Sequence, residues 1–334
     1  MALCLSILDL ATSSEAVPPG AAMAASVELA RAAERLGYTR YWFSEHHNMP
    51  TIVSSAPAVL AAHVLAHTDR IRVGAGGVML PNHSPLVVAE QFGTLESLHP
   101  GRVDLGLGRA PGGDQHTFAA LRRDPAASSV FPQDVLELQA LLGDPQPGQR
   151  VHAVPGEGTH VPLYILGSSQ FGAQLAAHLG LPYAFASHFA PAELVPAVAR
   201  YRAEFRPSEQ LEEPYVIAGL NVFAADDDRT ARELFEASLA TMARGLAKLA
   251  GRPAGATDAE LLASPIGRQA RMMLHHRAVG APATVRAEVL AFAAHADADE
   301  VIVAMNTARP EVRLRSYELL AEVFADELAA ACAA

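Results

Sequence analysis

Lysine is all but missing: Lys248 is the only one, and every other basic side chain except histidine is arginine. A Schiff-base or P-loop lysine therefore has a single candidate, on a polar-faced helical stretch, which argues against both chemistries. Cysteine is almost as scarce. Cys4 and Cys332 stand near opposite ends with no metal or redox spacing, which fits a reduced, cytoplasmic setting. No run of basic residues occurs and the net charge is −11, so neither nucleic acid nor an anionic membrane surface suits as a partner. No apolar stretch reaches the ~18 residues of a membrane span. The apolar start, residues 2–11, lacks a basic lead-in and contains Asp9, so it reads as a buried strand and not a signal peptide. GxSxG and a helical HExxH are absent as well.

What is present is an alternation of strands and helices. Strands are expected at residues 3–10, 41–43, 70–75, 103–107, 163–166, 183–187, 215–224 and 300–305. Helices are expected at 22–36, 56–66, 85–98, 134–142, 193–205, 226–249, 282–296 and 310–333, with another ending at 179 and one over 264–276. Residues 109–132 and 143–162 read as irregular detours. Eight strands, each followed by a helix, predict an α/β fold: a (β/α)8 TIM barrel with insertions after strands 4 and 7, one domain over 1–334. An open doubly wound sheet is the alternative. A dinucleotide fingerprint fails, because Pro111 stands where the third glycine of Gly106-x-Gly108 should be.

Chemistry in such folds gathers at the carboxyl ends of the strands. Glu45-His46-His47 follows the second strand directly. A histidine beside a carboxylate makes a proton shuttle, and His46 is favoured for it; packed polar residues of a turn are the other reading. No third ligand stands at a metal-binding spacing, so no metal is expected. Gly74-Ala75-Gly76-Gly77 offers bare backbone to a planar ring, or else marks a strand exit. Arg109 follows the fourth strand, and Ser168 and Ser169 open a helix after the fifth. Together they outline an anion site suited to a mononucleotide phosphate, although such serines also serve as helix caps. His83, His116 and His188 fall on the same set of loops, while His275 and His276 read as surface or core filler. Pro111, Gly112, Gly113 and Asp114 continue the Arg109 loop.

Five segments, taken in order, carry a family resemblance: YWFSEHHN (41–48), VGAGGVMLPNHSP (73–85), GRVDLGLGRAPG (101–112), YILGSS (164–169) and LRSYELLAE (314–322). The chain resembles the bacterial luciferase-like flavin monooxygenases, in the single-chain branch with a glycine pair after the third strand. The resemblance implies a barrel that pairs into a homodimer. It also implies reduced FMN delivered by a separate flavin reductase, and O2 captured on the flavin as a C4a-peroxide that attacks a small lipophilic organic substrate. It places the catalytic histidine at His46, a non-proline cis peptide at Gly76-Gly77, the flavin ring against Glu45, Ala75, Gly76 and Gly77, and the phosphate on Arg109, Ser168 and Ser169. Two alternatives stay open: a deazaflavin (F420)-dependent hydride-transfer enzyme of the same superfamily, and a non-catalytic flavin-binding protein. Gly108 replaces the reactive cysteine of the luciferases, which implies more room there. Arg122 or Arg123 is the substitute for a further phosphate partner, and residues 251–276 occupy the place of a mobile active-site loop.

Overall fold

The computed structural model describes residues 3–110, 113, 115–251 and 257–331. Pro111, Gly112, Asp114 and Cys332, and residues 252–256 of the loop-like segment, lie outside the described residues. Nine strands occur among those described: β1 Cys4–Asp9, β2 Arg40–Phe43, β3 Arg72–Met79, β4 Val103–Gly108, β5 Leu163–Gly167, β6 Tyr183–Phe185, β7 Val216–Ala224, β8 Arg277–Gly280 and β9 Glu300–Ala304. Every pairing is parallel. β1 to β7 follow one another round a ring that β9 closes between β7 and β1. This is the expected (β/α)8 barrel, with the insertions after β4 and β7.

Side chains alternate along each strand, and both faces are covered, as parallel sheets require. Val73, Ala75, Val103, Leu105, Leu107 and Ile165 pack outward into the main core beneath the helices. Leu8, Trp42, Tyr164, Ala184, Ile217, Ile302 and Ala304 form a separate cluster within the barrel. Between β3 and β4 the backbones come too close for side chains. A Cβ on Gly74 would lie 2.0 Å from the Asp104 carbonyl oxygen, and one on Gly106 would lie 2.3 Å from that of Ala75. The glycines expected to end the third strand therefore lie inside it: β3 runs on to Met79, with a register shift against β4 between Ala75 and Val78.

Polar pairing closes the amino-terminal end of the barrel. Arg40 is buried and donates from Nε to Glu300 (2.9 Å) and from Nη1 to Asp104 (2.9 Å) and the Tyr164 hydroxyl (2.8 Å). Trp42 Nε1 and Arg72 complete the shell of Asp104, and the Tyr215 hydroxyl donates to Glu300. A second buried cluster faces outward. The carboxylate of Asp9 accepts from Arg313 (2.6 Å), Ser26, Tyr41 and the Ala11 N–H, which ties the helices Pro19–Leu36 and Pro310–Val323 to β1 and β2.

Three elements differ from expectation. The 109–132 stretch holds a helix, Gln115–Leu121, and a 3-10 turn, Pro125–Ser129. β8 pairs only with the far end of β7, Asn221–Ala224, so it hangs outside the ring. β7 has nine residues because it serves both the ring and this flap. The closing helix breaks at Phe324, which is fully buried, and resumes as Ala325–Ala331.

Replacing Arg313 by methionine strands a buried carboxylate, and breaking such a pair costs about 3–5 kcal/mol. Urea unfolding of Arg313→Met at neutral pH should show a loss of that size. A loss below about 1 kcal/mol would mean that Ser26, Tyr41 and the Ala11 N–H satisfy Asp9 unaided.

Candidate functional site

At the carboxyl ends of the strands the barrel opens into a cavity of about 450 Å³, within the usual range for small-molecule sites. Its wall is largely apolar: Leu8, Leu10, Trp42, Met79, Phe131, Leu166, Phe171, Phe185, Phe189 and Ile302 line it. Ser44, Glu45, His46, Arg109, Ser168, Ser169 and His188 supply the polar groups. The structure thus brings Glu45, His46, Gly76, Arg109, Ser168 and Ser169 to one cavity. Ala75 and Gly77 lie just behind the wall. Ala75 packs in the outer core, and a Cβ on Gly77 would meet the Gly106 carbonyl oxygen. The Gly76-Gly77 peptide is cis.

Glu45 is buried and has three close donors. Its Oε1 accepts from His47 Nε2 (2.7 Å) and His83 Nε2 (2.8 Å), and its Oε2 from the Met79 N–H (3.0 Å). These bonds fasten the loop after β2 to the end of β3. They outweigh the cost of burial and hold the Glu45 carboxyl at about 2, while the same contact raises His47 above its usual 6.5. The ligand atoms of Glu45, His47 and His83 lie within 4.8 Å of one another, so a histidine from another loop supplies the third ligand that the β2 loop alone lacks. The hydrogen bonds already satisfy this carboxylate.

His46 therefore does not use the carboxylate beside it. Its Nδ1 shares a hydrogen bond with Ser44 Oγ (3.1 Å), and Ser44 Oγ shares one with Ser54 Oγ (2.8 Å). Burial is the larger influence on the His46 pKa and lowers it, against the raising effect of the Glu45 charge. Ser44 was not singled out from the sequence. Its signal is its place beside Glu45 and His46, directly after the strand, since all three line the cavity.

Another part of the wall gathers a cation and hydroxyls at a helix start. Ser169 is the N-cap residue of helix Gln170–Leu179, yet its side chain makes no capping bond, so the first turn of N–H groups is not satisfied by that hydroxyl. The guanidinium of Arg109 lies 4.1 Å from the centre of the Phe171 ring, on that same first turn. Arg109, Ser168 and Ser169 all line the cavity. Cation, uncapped helix end and two hydroxyls thus meet in one place.

Several other expectations find different outcomes. Met79 takes up the room at Gly108, with Sδ and Cε only 3.0 Å from where a Cβ would sit. Arg122 and Arg123 do not line the cavity, and Arg123 Nε donates instead to the Asn82 carbonyl (3.1 Å). The described residues of 251–276 form helices Asp258–Ala263 and Pro265–Met273, which pack on Phe235, Leu239 and Ala243 in a separate small core. His276 stacks with Phe292 and His295, away from the cavity, and His116 is not on its wall either.

The family model of luciferase-like monooxygenases matches residues 4–300. The chain belongs to that family. A luciferase-like monooxygenase of Escherichia coli (strain K12) is 44% identical over 326 residues, covering 96% of this chain and 97% of the relative. The crystal structure of apo-MsnO8 superposes with a TM-score of 0.86 at 35% identity, covering 97% of this chain and 98% of the other. Two more distant structures share the fold. One is the FMN complex of the oxygenating constituent of 3,6-diketocamphane monooxygenase from Pseudomonas putida (TM-score 0.69, 18% identity, covering 96% of this chain and 97% of the other). The second is the coenzyme F420-dependent tetrahydromethanopterin reductase of Methanopyrus kandleri (TM-score 0.70, 17% identity, covering 96% and 98%). Among the described residues no helix is long and apolar enough to cross a membrane.

The Glu45 contacts make stability depend on acid. A depressed carboxyl pKa contributes stability that is present above its usual 4.5 and is lost as pH falls towards about 2. Glu45→Gln should therefore be less stable than the parent by about 3 kcal/mol at pH 5–6, with the gap closing by pH 2. Urea melts of both proteins across that range measure it, and a gap independent of pH would contradict the assignment.

Proposed function

We propose that the chain is an FMN-dependent monooxygenase, in which reduced FMN from a separate reductase and O2 act on a small lipophilic organic substrate in the cavity. The observation that carries this reading is the meeting of Arg109 with the uncapped start of helix Gln170–Leu179, on the wall facing His46 and Gly76. Those residues fit FMN. Arg109, Ser168, Ser169 and the helix N–H groups would hold its phosphate. The backbone at Gly76 and Gly108, with Ala75 and Gly77 behind it, would lie along its ring. Bound reduced FMN would supply the electrons that activate O2. The diketocamphane enzyme carries FMN on this fold, and the tetrahydromethanopterin reductase that shares it depends on F420, so the fold admits either cofactor.

The chain's own part is positioning, exclusion of water and proton management. The aromatic wall desolvates the substrate. His46 is kept neutral at physiological pH by burial. With Nδ1 engaged by Ser44, it exchanges a proton through Nε2, and the Ser44–Ser54 hydroxyl pair reverses donor and acceptor roles as the ring does.

Anaerobic titration of the purified protein with reduced FMN, and in parallel with reduced deazaflavin, tests the reading. Saturation by reduced FMN is expected, followed by flavin reoxidation when oxygen is admitted. Binding of the deazaflavin alone would replace oxygenation by hydride transfer. Binding of neither would remove flavin chemistry from this cavity.

Two substitutions divide the roles. Arg109→Ala should weaken FMN by about 1.5–3 kcal/mol, the worth of a charge-assisted hydrogen bond; calorimetry showing unchanged affinity would reject the phosphate contact. His46→Ala should slow oxygenation by about 10²-fold or more and leave FMN affinity nearly unaltered. Unimpaired turnover in that variant would take His46 out of the mechanism.

A further inference from the structure

His188 is the polar group on the cavity wall that the reading above leaves unused. It follows β6, and its position is built with care. The Ser187 hydroxyl donates to the Gly219 carbonyl (2.6 Å), and the Asn221 amide donates to the His188 carbonyl (2.5 Å), so the loop is clamped to β7 on both sides of the residue. The ring of Phe189 meets the imidazole edge-to-face at 5.0 Å. β7 carries no side chain at Gly219, where a Cβ would lie 2.4 Å from His188 Nδ1. The ring is thus held by two side-chain clamps, an aromatic neighbour and a glycine that makes room for it.

Yet the imidazole is not used inside the protein. Nδ1 is buried with no hydrogen-bond partner among the described residues, a position that ordinarily costs about 1–3 kcal/mol and calls for a reason. Nδ1 packs on Gly219, so the ring edge that meets the cavity is the opposite one, which carries Nε2. No partner at Nδ1 sets the tautomer, so Nε2 is able to present either an N–H or a lone pair. Burial, and the nearby His46, keep the ring uncharged, and a neutral imidazole enters an apolar chamber at far lower cost than a charged one. Phe189 packs against it, His46 lies near, and Phe185, Leu166 and Trp42 belong to the same cavity wall.

We propose that His188 is a substrate-binding residue that takes, through Nε2, the single polar oxygen of an otherwise apolar substrate. The substrate class is then a lipophilic ketone, aldehyde or hydroxyl-bearing ring, and not a plain hydrocarbon. A fixed hydrogen-bonding group in a largely apolar wall selects for such a molecule, because an analogue without the oxygen leaves the imidazole unpaired. The proposal rests on reading this cavity as the substrate chamber.

The test uses two probes that differ only in that oxygen, 1-tetralone and tetralin, bound to the flavin-free protein and followed by calorimetry and by the fluorescence of Trp42, the sole tryptophan. The quantity read is the ratio of the two affinities, since water itself solvates the ketone better. In His188→Phe the ratio should move roughly threefold to tenfold against tetralone, with tetralin affinity little altered. His188→Asn, which keeps an N–H donor, should recover part of the ratio. Gly219→Ala, which pushes on the ring and leaves the residue in place, should lose it as His188→Phe does. A ratio that stays within twofold in His188→Phe, or wild-type protein that binds neither probe, overturns the proposal. Because no flavin is present, failure here is distinct from failure to bind reduced FMN.

Discussion

The buried charge pairing of Arg40 with Asp104 and Glu300 decides where this barrel has its opening. One guanidinium reaches from the start of β2 to β4 and β9 and donates to the Tyr164 hydroxyl, while Trp42, Arg72 and Tyr215 donate to the two carboxylates. Ions so far from water persist only when every group is paired, so the arrangement is stiff as well as closed. With the amino-terminal end sealed, the lumen's free volume lies at the carboxyl ends of the strands. The apolar cluster of Leu8, Trp42, Ile217 and Ile302 sits between the plug and the cavity and forms its floor.

Above that floor, two fastenings give the cavity its chemistry. The Glu45 carboxylate joins the loop after β2 to the end of β3, so the backbone beside His46 and that beside Gly76 are held as one piece. On the far side, the N-cap serine of helix Gln170–Leu179 spends no hydroxyl on capping, and a guanidinium lies over the same turn. A helix end left short of acceptors is costly in isolation. An anion at that turn would meet the Arg109 guanidinium and the helix N–H groups together.

The barrel was legible because its signals are local. Apolar runs ending in glycine, as β4 and β5 do, helices such as Pro85–Leu98 and a regular spacing survive into the structure, while β3 runs on through its glycines. β8 was not legible: Arg277-Ala-Val-Gly is four residues between two helices, with Arg277 exposed, and its pairing depends on the overhang of β7. The site was legible as a list of loops and less so as a set of contacts. His83 reaches Glu45 across 38 positions, and no spacing rule finds such a pair. Proximity in sequence also misled, since His46 stands next to Glu45 and bonds to Ser44 instead.

That last exchange has a chemical consequence. Had His46 paired with Glu45, the carboxylate would have raised its pKa and favoured the imidazolium, a fixed cation facing an apolar chamber. The neighbouring His47 takes that contact and is the histidine raised, while His46 faces hydroxyls and is lowered. His188, packed on the Phe189 ring, is lowered to about 4 by burial and by the nearby His46. The fold thus sorts adjacent, chemically identical side chains into two groups. One is a brace on the loop, raised by the Glu45 carboxylate. The other is a neutral pair at the cavity wall, able to exchange protons or hydrogen bonds without bringing a net charge to a lipophilic ligand.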